Sequence, residues 1–125
     1  MHGVVSREQA LAATREADVL VNLGNQTAFQ LPSKVVEYAA AGKPVVNIAP
    51  HREDSSIEFF QAYPLALNIL SEGRAPDAAQ IASFREFLAR PAAPDAAALD
   101  TFLRPFRVEQ VAARYLELIG TEANR

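Results

Sequence analysis

The residues best suited to binding chemistry lie in a polar loop and at the start of the helix that follows it. Residues 24–30 carry amide and hydroxyl side chains, and the helix after them opens with a proline. A helix N-terminus leaves backbone N–H groups unpaired and carries a partial positive charge, so it binds anions well. A hydroxyl and an ammonium group in the first turn add to that attraction. The sequence therefore predicts a diphosphate site formed by Leu31, Pro32, Ser33 and Lys34.

A carboxylate follows this helix start by one turn, at Glu37. Its position suits it to accept two hydrogen bonds from a ribose diol, the role that acidic residues have in dinucleotide-binding folds. Two purely structural alternatives stay open. Ser33 is also typical of an N-cap, and Glu37 is also typical of a solvated helix residue.

The remaining polar candidates form no recognisable catalytic set. His51 follows a predicted strand and could reach a ligand, although a loop histidine is more often solvated. Lys43 suits a favourable charge at a helix C-terminus, and Asp54 or Ser55 is expected to cap the next helix. No Ser-His-Asp set, metal motif or catalytic carboxylate pair can be assembled. If the protein is an enzyme, we expect its base to lie elsewhere.

The elements that position these residues follow from the alternation of β-branched runs with alanine-rich helical stretches. Strand, helix, strand, helix and strand, followed by helices, is typical of an open parallel α/β sheet. We expect a Rossmann-like sheet of three or four strands flanked by helices, with strand 19–23 buried on both faces. The expected helices are 7–16, from 32–33 to Gly42, 55–62, 77–89, 95–103 and about 108–120, and the expected strands are 19–23, 44–48 and 65–70, after a brief extended segment at 3–5.

Composition limits the possible functions. The 125 residues suit one domain, and the 50% hydrophobic content allows a packed interior. A net charge of -3 argues against nucleic acid as a partner. Without cysteine and with two histidines, the chain offers little for a metal. The absence of a long apolar run or signal peptide favours a cytoplasmic protein, with a peripheral membrane role left to a neighbouring domain.

The central segment resembles a known family. Its specific part is Leu31-Pro32-Ser33-Lys34-Val35-Val36-Glu37-Tyr38 followed by Gly42-Lys43-Pro44-Val45-Val46. This segment, with the elements before and after it, is similar to the C-terminal domain of GT-B glycosyltransferases, in particular the retaining family 4, or glycosyltransferase group 1. The resemblance covers nearly the whole chain. It implies a domain that binds a nucleotide-diphosphate sugar without a metal or other cofactor.

The same resemblance assigns roles to individual residues. It places the diphosphate on Leu31 to Lys34 and the ribose on Glu37. The family has a second glutamate eight positions earlier that contacts the donor sugar, and here that position is Phe29. Asn25 or Gln30 is then the candidate for sugar contact. The family's diphosphate-neutralising basic residues and its acceptor domain lie upstream, so we expect this piece to be inactive alone.

Three further expectations concern the whole chain. Because it opens without a full βα unit, we expect residues 1–125 to be a partial domain, incomplete at the N-terminus, with an unpaired sheet edge and a tendency to self-associate. Two alternative functions remain, a nucleotide-sugar 2-epimerase of the same fold and a non-enzymatic α/β binding module. A receiver-like module needs acidic residues at its strand ends, where this chain has Asn22, Asn47 and Asn68. The aromatic residues expected in the core are Tyr38, Phe59, Phe60, Phe84 and Phe102.

Overall fold

The computed structural model describes residues 4–25, 30–90 and 95–122. Over these ranges the chain is an α/β domain with an open, fully parallel sheet of three strands in the order β1-β2-β3. The Rossmann-like architecture predicted from the sequence is thereby confirmed. Its elements are α1 (Arg7–Glu16), β1 (Leu20–Leu23), α2 (Ser33–Ala40), β2 (Val45–Ala49), α3 (Ser55–Ala62), β3 (Ala66–Leu70), α4 (Ala78–Ala89), α5 (Ala96–Leu103), a 3₁₀ turn (Arg104–Phe106) and α6 (Val108–Glu122).

The strands pair in a register that sorts their side chains into two faces. Leu20 lies opposite Val45, and Val45 lies opposite Ala66. Because successive side chains of a strand point to opposite faces, this register defines a core face and an outer face. The core face carries Leu20, Asn22, Val45, Asn47, Ala49 and Asn68, and the outer face carries Val21, Leu23, Val46, Ile48 and Ile69.

Helices α2, α3 and α5 cover the core face. Val35 and Ala39 of α2 are fully buried in one cluster with Leu20 and Val45. Phe59 of α3 joins that cluster and stacks edge-on against Phe102 of α5, with ring centroids 5.1 Å apart. Edge-to-face pairs of this kind add to the free energy that area burial alone supplies. The hydrophobic centre of the domain therefore lies between these helices and the core face.

On the outer face, the described helices cover the β3 side and leave β1 exposed. The prediction that β1 is buried on both faces is therefore wrong. Leu20 and Asn22 are buried, but Val21 is 51% exposed and Leu23 is 62% exposed. Helix α4 contacts β3, and an apolar groove next to Val21 is lined by Val46, Ile69 and Pro76 together with Ile81 and Phe84 of α4. An edge strand under a helix that sits nearer β3 is buried on one face, whereas a central strand would be buried on both.

Local signals in the sequence set the helix ends. Ser6 and Gln9 form a capping box at the start of α1, in which the Gln9 N–H donates to Ser6 Oγ at 3.2 Å. Gly42 has a φ of 65° and ends α2 as a C′ glycine, at the position where the sequence predicts the end of this helix. Asp77 caps α4 in the same way that Ser6 caps α1.

Some expectations for the periphery do not hold. Val4 and Val5 form no strand, and Gly3 lies outside the described residues. Phe84 is too exposed to be a core residue, while Tyr38 and Phe102 are half-buried at the edge of the core and Phe59 and Phe60 are buried as predicted. Across the described ranges, none of the helices combines the length and the apolar character needed to cross a membrane.

Candidate functional site

The first turn of α2 begins at the carboxyl edge of the sheet, after the loop that leaves β1. Pro32 occupies the N-cap position with φ -66° and offers no side-chain hydrogen bond to the helix. The structural alternative that Ser33 is an N-cap does not hold, since Ser33 is the first helical residue. Only the Val35 N–H of this turn is paired, to the Pro32 carbonyl at 3.0 Å. Among the described residues, the backbone N–H groups of Ser33 and Lys34 have no acceptor.

The starts of α1, α3, α4 and α5 are capped by side chains. Ser6, Asp54, Asp77 and Asp95 each accept a backbone N–H in the first turn of their helix. A proline cannot do so, because its side chain has no acceptor. At α2 the partial positive charge and the two N–H groups that lack an acceptor among the described residues lie beside the exposed Ser33 and Lys34.

Glu37 lies on the same side of α2 as Ser33, because residues four apart on a helix are neighbours about 6 Å apart. Its side chain is exposed, and it forms no ion pair with any described residue. It lines a cavity of about 310 Å³ between α1 and α2, together with Arg7, Arg15 and Tyr38. The structure therefore brings Glu37 next to the α2 start with its carboxylate accessible.

The β1–α2 loop is fixed at both of its described ends. The Gly24 N–H donates to the Ile48 carbonyl at 2.9 Å, which extends the sheet ladder by one residue. The Gln30 carbonyl accepts the Ser55 hydroxyl at 3.0 Å. Asn25 follows Gly24 and is half-buried, while the Gln30 side chain is exposed. Residues 26–29, including Phe29, lie outside the described residues.

The β2–α3 loop contributes a buried carboxylate to the same edge. Asp54 is 3% exposed and caps α3, with Oδ1 accepting the Ser56 N–H at 2.8 Å. This confirms the predicted cap. Its second oxygen, Oδ2, has no hydrogen-bond partner among the residues that the structure describes. A Cβ at position 24 would lie 2.2 Å from Oδ2 and 2.8 Å from Pro50 Cδ, so only a glycine allows β1 to approach this carboxylate.

Three asparagines form a ladder across the core face, which the sequence analysis missed. Asn22, Asn47 and Asn68 lie opposite one another in the strand register. Asn22 Nδ2 donates to Asn47 Oδ1 at 2.7 Å, and Asn47 Nδ2 donates to Asn68 Oδ1 at 2.8 Å. The signal was present, since each strand contains an asparagine between apolar residues. Aligning the strands on these asparagines gives the observed register.

The ladder joins the sheet to α3 and has a fixed direction. Asn68 Nδ2 donates to the Ile57 carbonyl at 3.1 Å, and Ser56 Oγ donates to Asn47 Oδ1 at 3.1 Å. A backbone carbonyl can only accept, so Asn68 must turn its amide nitrogen toward it, and the other two amides follow. Asn22 Oδ1 is then left at the β1 end of the ladder as a buried acceptor with no partner.

The two remaining sequence candidates lie at opposite edges of the sheet. His51 is half-buried in the β2–α3 loop, with Nδ1 3.5 Å from Glu53 Oε2. Lys43 stands beyond the other end of α2, beside a cavity of about 380 Å³ that Asp18 and Arg90 also line. Its carbonyl accepts the Tyr63 hydroxyl at 2.9 Å, and burial raises the pKa of Tyr63 to about 12. Lys43 is therefore placed for a structural role.

The described residues contain no group of three His, Asp or Glu side chains placed to hold a metal ion. The polar groups at the carboxyl edge are instead of two kinds. The α2 start has donors and a positive charge, and the Asp54 and Asn22 oxygens are acceptors that are buried from solvent. Comparisons of this chain with models of protein families, with curated proteins and with solved structures give no match.

Proposed function

We propose that this chain binds the diphosphate of a nucleotide-diphosphate sugar at the first turn of α2, as the donor-binding domain of a GT-B glycosyltransferase. The observation that carries the proposal is the uncapped α2 start. It presents two N–H groups, neither with an acceptor in the described part of the chain, beside the Ser33 hydroxyl and the Lys34 ammonium group. Its location at the carboxyl edge of a parallel sheet is where open α/β sheets bind their ligands.

A diphosphate matches this set of groups in charge and in number of acceptors. Its oxygens can accept from the Ser33 and Lys34 N–H groups and from the Ser33 hydroxyl. The Lys34 ammonium supplies a full positive charge in a chain whose net charge is -3. Hydrogen bonds between charged phosphate oxygens and such donors are about twice as strong as those between neutral groups. Leu31 and Pro32 shape the approach to the helix.

Glu37 supports the nucleotide half of the proposal. It is exposed, it follows Ser33 by one turn, and it is free to accept two hydroxyl groups. A ribose attached to a diphosphate at the α2 start would lie within reach of this carboxylate. The cavity beside it gives room between α1 and α2. Glu37 is therefore the proposed ribose ligand.

The reaction of the full-length protein is the transfer of the glycosyl group to an acceptor, with retention at the anomeric carbon. The bond between that carbon and the diphosphate oxygen breaks, and the diphosphate leaves with an increased negative charge. The α2 dipole and Lys34 would stabilise that charge where it develops. The acceptor is held by a separate N-terminal domain in this proposal. No residue of this chain is assigned as catalytic base.

A nucleotide-sugar 2-epimerase is a second candidate, favoured by the His51–Glu53 pair at the same edge of the sheet. Both enzymes would use the α2 start for the diphosphate, so binding alone does not separate them. Incubation of the full-length protein with nucleotide sugars in the absence of any acceptor does. A transferase leaves the sugar's configuration unchanged, and accumulation of the epimeric nucleotide sugar would identify the second candidate.

The chain's two lysines provide a matched test of the binding site. Lys34 lies in the first turn of α2, and Lys43 lies beyond its other end. We expect Lys34→Ala to weaken the binding of UDP or GDP to the full-length protein by roughly 10-fold, as for loss of a charged hydrogen-bond donor. Lys43→Ala should leave it within about 2-fold. Equal effects of the two substitutions, or no binding by the native protein, would reject the site.

A further inference from the structure

The turn that opens α2 is held from two sides. Leu31, directly before Pro32, packs against the hydrophobic cluster of the core. On the other side, the Ser55 hydroxyl donates to the Gln30 carbonyl at 3.0 Å. Gln30 and Ser55 are 25 positions apart in the chain, so this bond joins the end of the β1–α2 loop to the first turn of α3. The segment that leads into the proposed diphosphate site is thereby bonded to α3.

Ser55 lies in a turn whose own position is fixed. Asp54, the residue before it, accepts the Ser56 N–H at 2.8 Å, and Ser56 Oγ donates to Asn47 Oδ1 in β2 at 3.1 Å. Asp54 and Ser56 are both buried, whereas Ser55 is half-buried. Because both of its neighbours are buried and hydrogen-bonded, the backbone of Ser55 is a rigid base from which its hydroxyl can hold Gln30.

The Ser55 hydroxyl is not needed to cap its own helix. Asp54 caps α3, and Ser55 is the first helical residue. The bond from Ser55 to Gln30 acts instead on the neighbouring loop, two positions before the Pro32 N-cap of α2. A ligand that has to order a loop binds more weakly than a ligand that meets a preformed site. This bond therefore favours diphosphate binding, because it holds the α2 start in place before the ligand arrives.

We infer that Ser55 is a positioning residue for the proposed diphosphate site. It acts through the Gln30 carbonyl to fix the place of the Ser33 and Lys34 N–H groups, and it touches no part of the ligand itself. The inference rests on the proposed nucleotide-sugar site. It differs from the sequence prediction, in which Ser55 is a possible cap of its own helix. The signal for this role is absent from the local sequence, because the bond spans 25 residues.

The test compares two substitutions of Ser55 that leave the Asp54 cap intact. Ser55→Ala removes the donor to Gln30, and Ser55→Thr keeps a hydroxyl at the same place. Ser83→Ala, at an exposed position of α4, is the matched control. Calorimetry on the full-length protein measures the affinity for UDP and for GDP. We expect Ser55→Ala to weaken binding by about 5-fold, as for loss of one hydrogen bond, and the other two variants to stay within about 2-fold of the native protein.

Amide resonances of the ligand-free protein give a second readout, which a role in stability alone would not change. We expect the Ser33 and Lys34 amides to shift in Ser55→Ala and to return in Ser55→Thr. A lower melting temperature of Ser55→Ala with unchanged affinity would overturn the inference, as would unchanged Ser33 and Lys34 amides or a threonine variant that binds as weakly as the alanine variant. Failure of UDP and GDP to bind the native protein would instead reject the α2 site, and with it the role of Ser55 in binding.

Discussion

Helices α2 and α3 both begin at the carboxyl edge of the sheet, yet only α3 has a side-chain cap for the backbone N–H groups of its first turn. α3 is capped by Asp54, and its second residue, Ser56, donates to Asn47 in the sheet. α2 begins at Pro32, which caps nothing, and its N–H groups at Ser33 and Lys34 remain unpaired within the described ranges. The start of α3 is therefore bonded to the rest of the domain, whereas the start of α2 keeps donors that a ligand could use.

The difference shows that two helix starts at one edge of a sheet can have different roles. The α2 start has donors and positive charge, which suit phosphate oxygens. The α3 start places Asp54 Oδ2 against Gly24, buried from solvent. The first suits a ligand, and the second belongs to the packing of the domain. Four predictions probe this contrast, from the largest expected effect to the smallest.

The asparagine ladder is expected to hold the α3 side of the edge in place. Asn47→Ala removes the partner of Asn22 Nδ2, Asn68 Oδ1 and Ser56 Oγ. Leaving several buried polar groups unpaired should lower the free energy of unfolding by about 3 kcal/mol. Urea denaturation measures this effect, with Gln110→Ala on exposed helix α6 as a control. A loss below about 1 kcal/mol would mean that the ladder does not anchor α3.

Glu37 of α2 is expected to contribute to nucleotide binding and not to the stability of the domain. Glu37→Ala should weaken the binding of UDP or GDP by ~1–3 kcal/mol, since the ribose hydroxyls lose a charged acceptor. Because Glu37 is exposed, the melting temperature should stay the same. Calorimetry on the full-length protein gives the affinity, and Glu109→Ala in α6 is the matched control. Unchanged affinity would remove Glu37 from the site.

The close approach of β1 to Asp54 depends on Gly24. Gly24→Ala places a methyl group against Asp54 Oδ2 and Pro50, so the free energy of unfolding should fall by about 2 kcal/mol. Combining it with Asp54→Ser, which removes that oxygen, should cost less than the sum of the two single changes. Denaturation of the four proteins in this cycle measures the coupling. Strict additivity would show that the carboxylate does not contact Gly24.

The smallest effect is expected for the stability of α2. Ser33 is the first helical residue and is not the cap, so Ser33→Ala should change the free energy of unfolding by less than ~0.5 kcal/mol. Asp95→Ala, which removes the cap of α5, should cost about 1 kcal/mol. Both values come from urea denaturation. If Ser33→Ala cost as much as Asp95→Ala, the α2 start would be capped like the others.

Much of the fold could be predicted because its signals are local. The β-branched runs mark the three strands, and the capping residues Ser6, Asp54 and Asp77 lie where the helices begin. The identity of the α2 start also follows from the sequence, since a proline followed by Ser33 and Lys34 opens a helix after a polar loop. Features of this kind are fixed by residues within one turn of each other.

The features that could not be predicted depend on contacts distant in sequence. The exposure of Val21 and Leu23 depends on where α4 lies across the outer face. The asparagine ladder depends on strand register, which joins residues 25 and 21 positions apart. The contact of Asp54 with Gly24 requires two loops to meet. The roles of Ser33, Lys34 and Glu37 in binding a nucleotide sugar remain predictions, as does the expected self-association of the chain.

The claim that α2 binds the diphosphate is tested most directly by the backbone amides of its first turn. Titration of ¹⁵N-labelled protein with UDP and with GDP would be followed by the amide resonances of residues across the chain. We predict that the Ser33 and Lys34 amides shift most with at least one of the two ligands, as their N–H groups acquire acceptors. The Gly42 and Lys43 amides at the other end of α2 should move little. Shifts centred on that other end, or no shift at Ser33 and Lys34 with either nucleotide, would contradict the proposed site.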